Sequence, residues 1–479
     1  MSSTFFGLTI AGKALSAQQI ALNITGHNIA NADTEGYSRQ QVNMTTTYPY
    51  TVVASGKNMS QGSGVTIDTI MRARNAFVDK QLRSETSTQE YWGAKETGLS
   101  EIESAMNEPT DYSLSSDLSN FWNSWNNLAD NPEDSGTRSI LVQRTLTLTD
   151  SLHAISDQFT EMEANLNTSV NNQITDINDY TDQIAELNKQ IKRAEITGDT
   201  PNDLYDNRDL LVDKLSKIVN VTVTEGIDGS YPNGKVNTYD LAIGEPPQTL
   251  VSDAGVVKEL KEVTTTDGSG NPIKVLQLDG TILTLGNNMG SLQADRELRD
   301  TYLPDLQGKY DTLAAGIASA VNSIYGTTTK FFTTSDSSTT ITASNITSSV
   351  AAADIVAGDG TSGDGSVAAA IAALSEGWSS ISGTDLDGFK AKYGSSLVDS
   401  YSATVAKLGA DLQQATRMKK GQEALVANLT TQKETVSGVS LDEEMINLTK
   451  YQKSYSAAAR LVTMMDDLLD TLLGMGMTK

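Results

Sequence analysis

The sequence predicts a multidomain, mainly α-helical chain. Its N- and C-terminal segments form a long-helix bundle or coiled-coil rod, and one small β-domain is inserted. Three observations predict this. Seven-residue apolar repeats run through both ends of the 479-residue chain. Apolar residues recur in steps of three and four over long interior stretches, as one face of an amphipathic helix requires. Between residues 219 and 290 the pattern changes to apolar-polar alternation, the period of a half-buried strand.

At the N-terminus, Leu8, Leu15, Leu22 and Ile29 are spaced by seven, with Ala11, Ala14, Ala21 and Ala30 keeping the same side small. This predicts a helix over the first 32 residues, roughly 45 Å long. Lys13 is its one charged side chain, and Gly7, Gly12 and Gly26 each cost about 1 kcal/mol relative to Ala. Such a helix is poorly equipped to stand alone. It is suited to burial among other helices and to order only when it meets them.

The interior carries more helices. From Leu152 through Phe159, Leu166, Ile174 and Ile184 to Ile191, threes and fours predict a rod of some forty residues ending near Gly198. A second run goes from Leu303 to Ile324 and a third from about Val405 to Leu429. Asp206, Arg208 and Asp209 flank a shorter helix whose apolar face includes Leu210, Leu211 and Leu215. In the alternating tract, Val219, Val221 and Val223, then Tyr239, Leu241 and Ile243, then Leu276 with Leu278 and Ile282 with Leu285 predict strands. They are separated by turns such as Asp267–Pro272. Residues 326–376, rich in Ser, Thr, Gly and Ala, predict a surface insertion with one strand pair and a short helix.

The C-terminus matches the N-terminus. Leu441, Leu448, Tyr455, Val462 and Leu469 keep the seven-residue spacing, and Tyr451, Ala458, Met465 and Leu472 fill the second core row. Ser440 with Glu443 forms the capping box that starts such a helix. The expected division is 1–36 with 437–479 as the terminal assembly domain, 37–218 with 291–436 as the long-helix rod, and 219–290 as the β-insert. The assembly interface is expected along Leu8, Leu15, Leu22, Asn28, Ile29, Asn31, Gly36 and Tyr37, and along Leu441, Leu448, Tyr451, Tyr455, Val462, Met465, Leu469 and Leu472.

Composition excludes several functions. With no cysteine, thiolate catalysis, zinc–thiolate sites and disulfides are ruled out. A net charge of −25 without basic clusters argues against nucleic-acid binding. No apolar run reaches the length of a membrane span, and no secretory signal pattern is evident. Only His27 and His153 are available for histidine chemistry, too few for a His-based metal site, and both are expected to be structural. Gly358–Gly363 fits G-x-G-x-x-G, but Asp359 and Asp364 would repel a phosphate and no strand–helix junction frames it. No cofactor and no catalytic residues are expected.

One string is more specific. Asn23–Arg39 resembles the N-terminal signature of the bacterial flagellar axial proteins (rod, hook and hook-associated), roughly N-I-A-N-x-x-T-x-G-Y-x-R. Asn28, Ile29, Ala30, Asn31, Thr34, Gly36, Tyr37 and Arg39 fill it. Glu35 departs from the Pro or small residue usual there. Gly438–Arg460 is similar to the closing segment of the hook-associated protein 1 family, and Phe121–Pro132 and Gly290–Pro304 agree with that family. The match leaves 219–290 and the Ser/Thr-rich segment unassigned.

The resemblance implies a structural subunit at the hook–filament junction, forming a ring of copies at the hook tip. It implies contacts with the hook protein and a second hook-associated junction protein. It further implies export, unfolded, from the cytoplasm through the flagellar type III channel to the extracellular flagellum, with a cytoplasmic chaperone masking the C-terminal helix. Two alternatives are weighed: another axial protein (hook, distal rod or second junction protein), and a wall-acting enzyme fused to axial termini. Length and the interior motifs disfavour the first, and the missing histidines disfavour the second.

Overall fold

The computed structural model describes residues 6–54, 57–108, 110, 113–231, 236–255, 257–326, 329–336, 338–378, 391 and 396–476. Helix α1 (Phe6–Ala30) is followed by strands β1 (Gln40–Thr46), β2 (Tyr50–Ala54), β3 (Lys57–Gln61) and β4 (Val65–Arg72). The outer strands β1 and β4 pair antiparallel, and β2–β3 is a hairpin between them. These strands lie in the span expected to be helical rod. They are rich in Gln, Asn and Thr and only partly covered, so their apolar alternation is faint.

Four long helices build the body: α2 (Ala76–Met106), α3 (Leu114–Asp130), α4 (Ser135–Ile196) and, further on, α7 (Leu303–Tyr325). Helix α2 went unannounced because small residues do much of its packing. Ser87 is buried, and a Cβ on Gly98 would strike Leu298. Helix α4 is longer than its apolar repeat announced. At 62 residues it spans about 93 Å and serves two cores. Its first half, Leu141 to Phe159, joins the larger core with α2, α3 and α7, and its second half, Val170 to Ala185, joins the smaller one.

The smaller core combines α4, α5 (Asn202–Ile218) and six strands: β5 (Val221–Ile227), β6 (Asn237–Ile243), β7 (Gln248–Val251), β8 (Leu260–Thr266), β9 (Pro272–Leu278) and β10 (Thr281–Leu283). They form two three-stranded antiparallel sheets, β5–β6–β7 and β10–β9–β8. Tyr239, Leu241, Ile243, Leu276 and Leu278 point inward as the alternation predicts. At β10 the inward residue is Leu283, and Ile282 faces solvent.

The β-insert is fastened to the body by a buried arginine. After α6 (Ser291–Glu297) the helix takes one π-helical turn, Leu298–Tyr302, which carries Arg299. Its guanidinium grips Glu262 on β8 with two bonds (2.8 and 2.6 Å), and also donates to Asp300 (2.7 Å) and Asn167 (3.2 Å). Burial opposes ionisation of Glu262, but Arg299 and Arg296 prevail and hold its pKa below the usual range.

Residues 326–376 differ from the expected surface insertion. The strand pair β11 (Thr333–Thr334) and β12 (Ile346–Thr347) and the short helix α8 (Ser366–Ala372) are present. Phe331, Phe332, Ile346, Ile371 and Leu374, however, are buried in the larger core. Phe331 meets Trp125 of α3 and its own neighbour Phe332 edge-on, and Phe332 packs tilted against Phe121 of α3. The few large residues in this small-residue tract are the ones that count.

Helix α9 (Leu397–Ser437) returns along α2, and α10 (Leu441–Gly476) lies along α1. Ser440 caps α10, its hydroxyl accepting from Glu443 N (3.5 Å). No helix of the described residues is long and apolar enough to cross a membrane.

Replacing Arg299 by Met should destabilise the chain by about 3–5 kcal/mol, because Glu262 would be left buried and uncompensated. Arg299→Met with Glu262→Met should recover part of that loss. Urea unfolding followed by circular dichroism measures both.

Candidate assembly interface

Helices α1 and α10 run antiparallel. Near one end Gly7 is so close to Met465 that any Cβ would strike its terminal methyl. Near the other, Tyr37, just past α1, lies within the field of Glu444, which is 3% exposed in the first turn of α10. The leucine repeat is not the centre of the N-terminal contact. Leu8, Leu15, Leu22 and Ile29 are half-buried, and the fully buried positions are Ala11, Ala17, Ala21, Thr25 and Asn28. Small residues let the backbone approach its neighbours closely, while the leucines flank the contact. The adjoining side of α1 meets the β1–β4 strands, where Lys13 donates to Ser63 O (3.2 Å).

On α10, Leu448, Tyr451, Val462, Met465 and Leu469 are half-buried along the seam. Tyr455 stands at its margin, and Leu441 is 53% exposed. Leu441 lies off the seam because the first turn of α10 projects past Ala30, and there it meets the turn after α1. The side chain of Leu472 lies outside the described residues.

The signature residues build that turn. Asn28 acts as a two-pronged clamp: its amide donates to Gln40 O (2.9 Å), and its carbonyl accepts from Gln40 N (2.9 Å) and Tyr37 Oη (2.7 Å). It therefore imitates a strand partner for the first residue of β1. His27 Nδ1 is 3.0 Å from the same hydroxyl. Asn31 caps α1 by donating to His27 O (3.0 Å), and Thr34 donates to the Asn31 carbonyl (3.2 Å). Gly36 has φ +80° and packs against Leu210, so a side chain there would be strained and crowded. Burial, then Asp203, Asp206 and Glu444, push the Tyr37 pKa up, keeping the phenol protonated as a donor. Ser38 N donates to Asp206 (3.0 Å). Arg39 N donates to Ser437 O (2.9 Å), and its guanidinium pairs with Glu443 (2.6 Å).

Behind the turn is an ion cluster. Asp206, Asp209 and Asp213 share one face of α5 by their three-then-four spacing. Arg72 binds Asp206 (2.8 Å) and Asp209 (2.7 Å), and Arg74 pairs with Asp209. Arg83 on α2 reaches Asp213 and Asp209, and Lys433 on α9 reaches Asp213 (2.9 Å). Burial alone would raise the Asp209 pKa; Arg74, Arg72, Arg83 and Arg208 outweigh it and hold the carboxyl at about 2. The cluster fell outside the expected interface. Its signal was three acids recurring at helical spacing on one face, with Val212 beside Asp209 at the edge of that face. On that helix the charges point inward, and Leu210 and Leu211 are only half-buried.

Other candidate chemistry resolves into structure. His153 Nε2 bonds Ile346 O (2.8 Å). At the Gly358–Gly363 loop the Asp359 backbone amide donates to the Asp364 carboxylate (2.6 Å). Among the described residues no group of histidines and acids could hold a metal.

Comparison with known proteins gives consistent matches. Residues 99–331 match the flagellar hook-associated protein FlgK helical domain, 434–475 the flagellar basal body rod FlgEFG protein C-terminal family, and 8–37 the flagella basal body rod protein family. The flagellar hook-associated protein 1 of Bacillus subtilis (strain 168) is 30% identical over 99% of this chain and 99% of its own length. That of Salmonella typhimurium (strain LT2) is 30% identical over 65% of this chain and 55% of its own. In fold, the flagellar hook junction protein FlgK from Burkholderia pseudomallei superposes with TM-score 0.61 at 16% identity, covering 75% of this chain and 100% of that one.

Two outcomes follow from this geometry. Asn28→Ala strands the backbone groups of Gln40 and should cost about 1–3 kcal/mol locally, read as faster hydrogen exchange across α1 and β1. The depressed Asp209 pKa contributes stability that is fully present above the ordinary carboxylate pKa and lost as pH falls through about 2. Acid titration should therefore loosen this joint below about pH 4, and Asp209→Asn should flatten that dependence.

Proposed function

Because this chain belongs to the flagellar hook-associated protein 1 family, we propose that it works as a structural subunit of the bacterial flagellum at the hook–filament junction. The observation that carries this is end-to-end similarity to a relative of that name, both terminal segments included. The helical-domain match at 99–331 favours this reading over hook or rod protein, whose families match only the ends.

In this reading, residues 1–36 with 437–479 form the assembly domain, 37–218 with 291–436 the rod, and 219–290 an outer module. Copies form a ring contacting the hook protein on one side and a second hook-associated junction protein on the other. The subunit passes from the cytoplasm through the flagellar type III channel, and an export chaperone covers the α10 seam until then. The poor intrinsic stability of α1, with its three glycines and single charge, suits a segment that travels unfolded. The work is mechanical and uses no catalytic residue.

Deleting the gene in its bacterium should leave intact hooks without filaments and flagellin shed into the medium. The full chain should restore filaments, and a chain lacking 1–36 and 437–479 should not. Normal filaments in the deletion strain would sink the reading. Leu448→Asp or Leu469→Asp should abolish binding of the export chaperone in calorimetry, and unchanged affinity would remove the chaperone from the scheme.

A further inference from the structure

Residues 72–83 carry Arg72, Arg74, Lys80 and Arg83 against a single acid, Asp79, in a chain whose net charge is −25. All four cations line one cleft of about 310 Å³. Val221 and Val223 of β5 give it an apolar wall, and Ala76, the first residue of α2, stands at its edge. Three carboxylates also reach it: Asp79, Asp209 and Glu225.

Those carboxylates are committed within the fold. Asp79 pairs with Arg74, Asp209 with Arg72, Arg74 and Arg83, and Glu225 with Arg208, which does not line the cleft. The donors are not all committed. Among the described residues Lys80 has no partner. Arg72 makes both of its bonds through Nη1, and Arg83 bonds through Nε and Nη2, so Arg72 Nε and Nη2 and Arg83 Nη1 are left over. At the start of α2 the Asn75 side chain accepts from Phe77 N and Val78 N, which leaves Ala76 N without an acceptor. This helix is 31 residues long, and the positive end of its dipole opens here. The surplus continues behind the wall: Tyr239 lies opposite Glu225 in the β5–β6 register, and both its Oη and Arg208 Nε are buried without a partner.

We propose that this cleft binds a small multivalent oxyanion of the phosphate or sulfate class. The anion accepts from Lys80, from the unshared N–H groups of Arg72 and Arg83, and from Ala76 N. These donors arrive from the end of β4, from the first turn of α2 and from a residue two turns further along it. Such a spread suits a tetrahedral anion, whose oxygens point several ways, better than the two oxygens of one carboxylate. The valine wall excludes water from one side and strengthens the bonds that form. Once seated, the anion ties β4 to α2 beside Asp209, adding a removable member to the ion cluster.

Calorimetric titration of the full chain with inorganic phosphate, at an ionic strength held constant with sodium chloride, should show one saturable site. Sulfate should compete for it. Lys80→Ala breaks no contact within the fold and should weaken the site about tenfold. Ala76→Pro deletes a single N–H at a helix position that accepts proline, because Asn75 is already extended, and should weaken it severalfold. In chloride alone both variants should melt with the parent, and both should lose most of the rise in melting temperature that phosphate gives the parent. Absence of saturable binding by phosphate and sulfate overturns the proposal. Equal affinity in the parent and both variants overturns it too, and marks an adventitious ion only. Acetate binding as tightly as phosphate would assign the cleft to carboxylates instead and overturn the oxyanion class.

Discussion

Asp209 sits where the strands after α1 meet α2 and α5. Arg72 and Arg74, at the exit from the strands after α1, both close on it, and Arg83 of α2 completes the ring. Through Asp213 the same cluster takes in Lys433 near the end of α9, and through Asp206 it holds the backbone at Ser38. An unpaired carboxylate at this depth would be costly, and so would any one of the arginines without it. The cluster is held by mutual neutralisation: no member can leave without stranding another.

Around that joint the molecule divides its work along α4. One half of this helix carries the aromatic core in which Phe121, Trp125, Phe331 and Phe332 meet. The other half supports two small sheets, one of them locked by Arg299 on Glu262 of β8. A continuous helix transmits position between the two cores without a hinge, which suits a subunit whose function is to hold two structures together. The terminal helices are the opposite case, with little burial of their own and large open faces.

Much of this was legible in the residues. Seven-residue spacing marked α1 and α10, threes and fours marked most of α4, α7 and α9, and alternation marked the inward Tyr239, Leu241 and Ile243. These signals are visible because burial on one face imposes a period on the chain. Where burial is shared among several faces, as in α2 with Ser87 and Gly98, or where coverage is slight, as in β1–β4, no such period arises and those elements went unannounced. The Ser/Thr-rich tract misled for a related reason: its average polarity hid Phe331 and Phe332, which reach the core singly.

The sequence by itself determined the helical class, the paired termini, the inserted strands and the family signature, because periodicity and local turn chemistry are written into neighbouring residues. Only the tertiary structure decided that Ala11, Ala17 and Ala21, rather than the leucines, form the buried stripe of α1, and that Leu441 lies off the seam. It alone brought Asp209 to three arginines distant from it in sequence. The reason is physical. A repeat records that a face is buried, but how closely two helices approach and which charges meet across the fold depend on long-range packing, which no local spacing records.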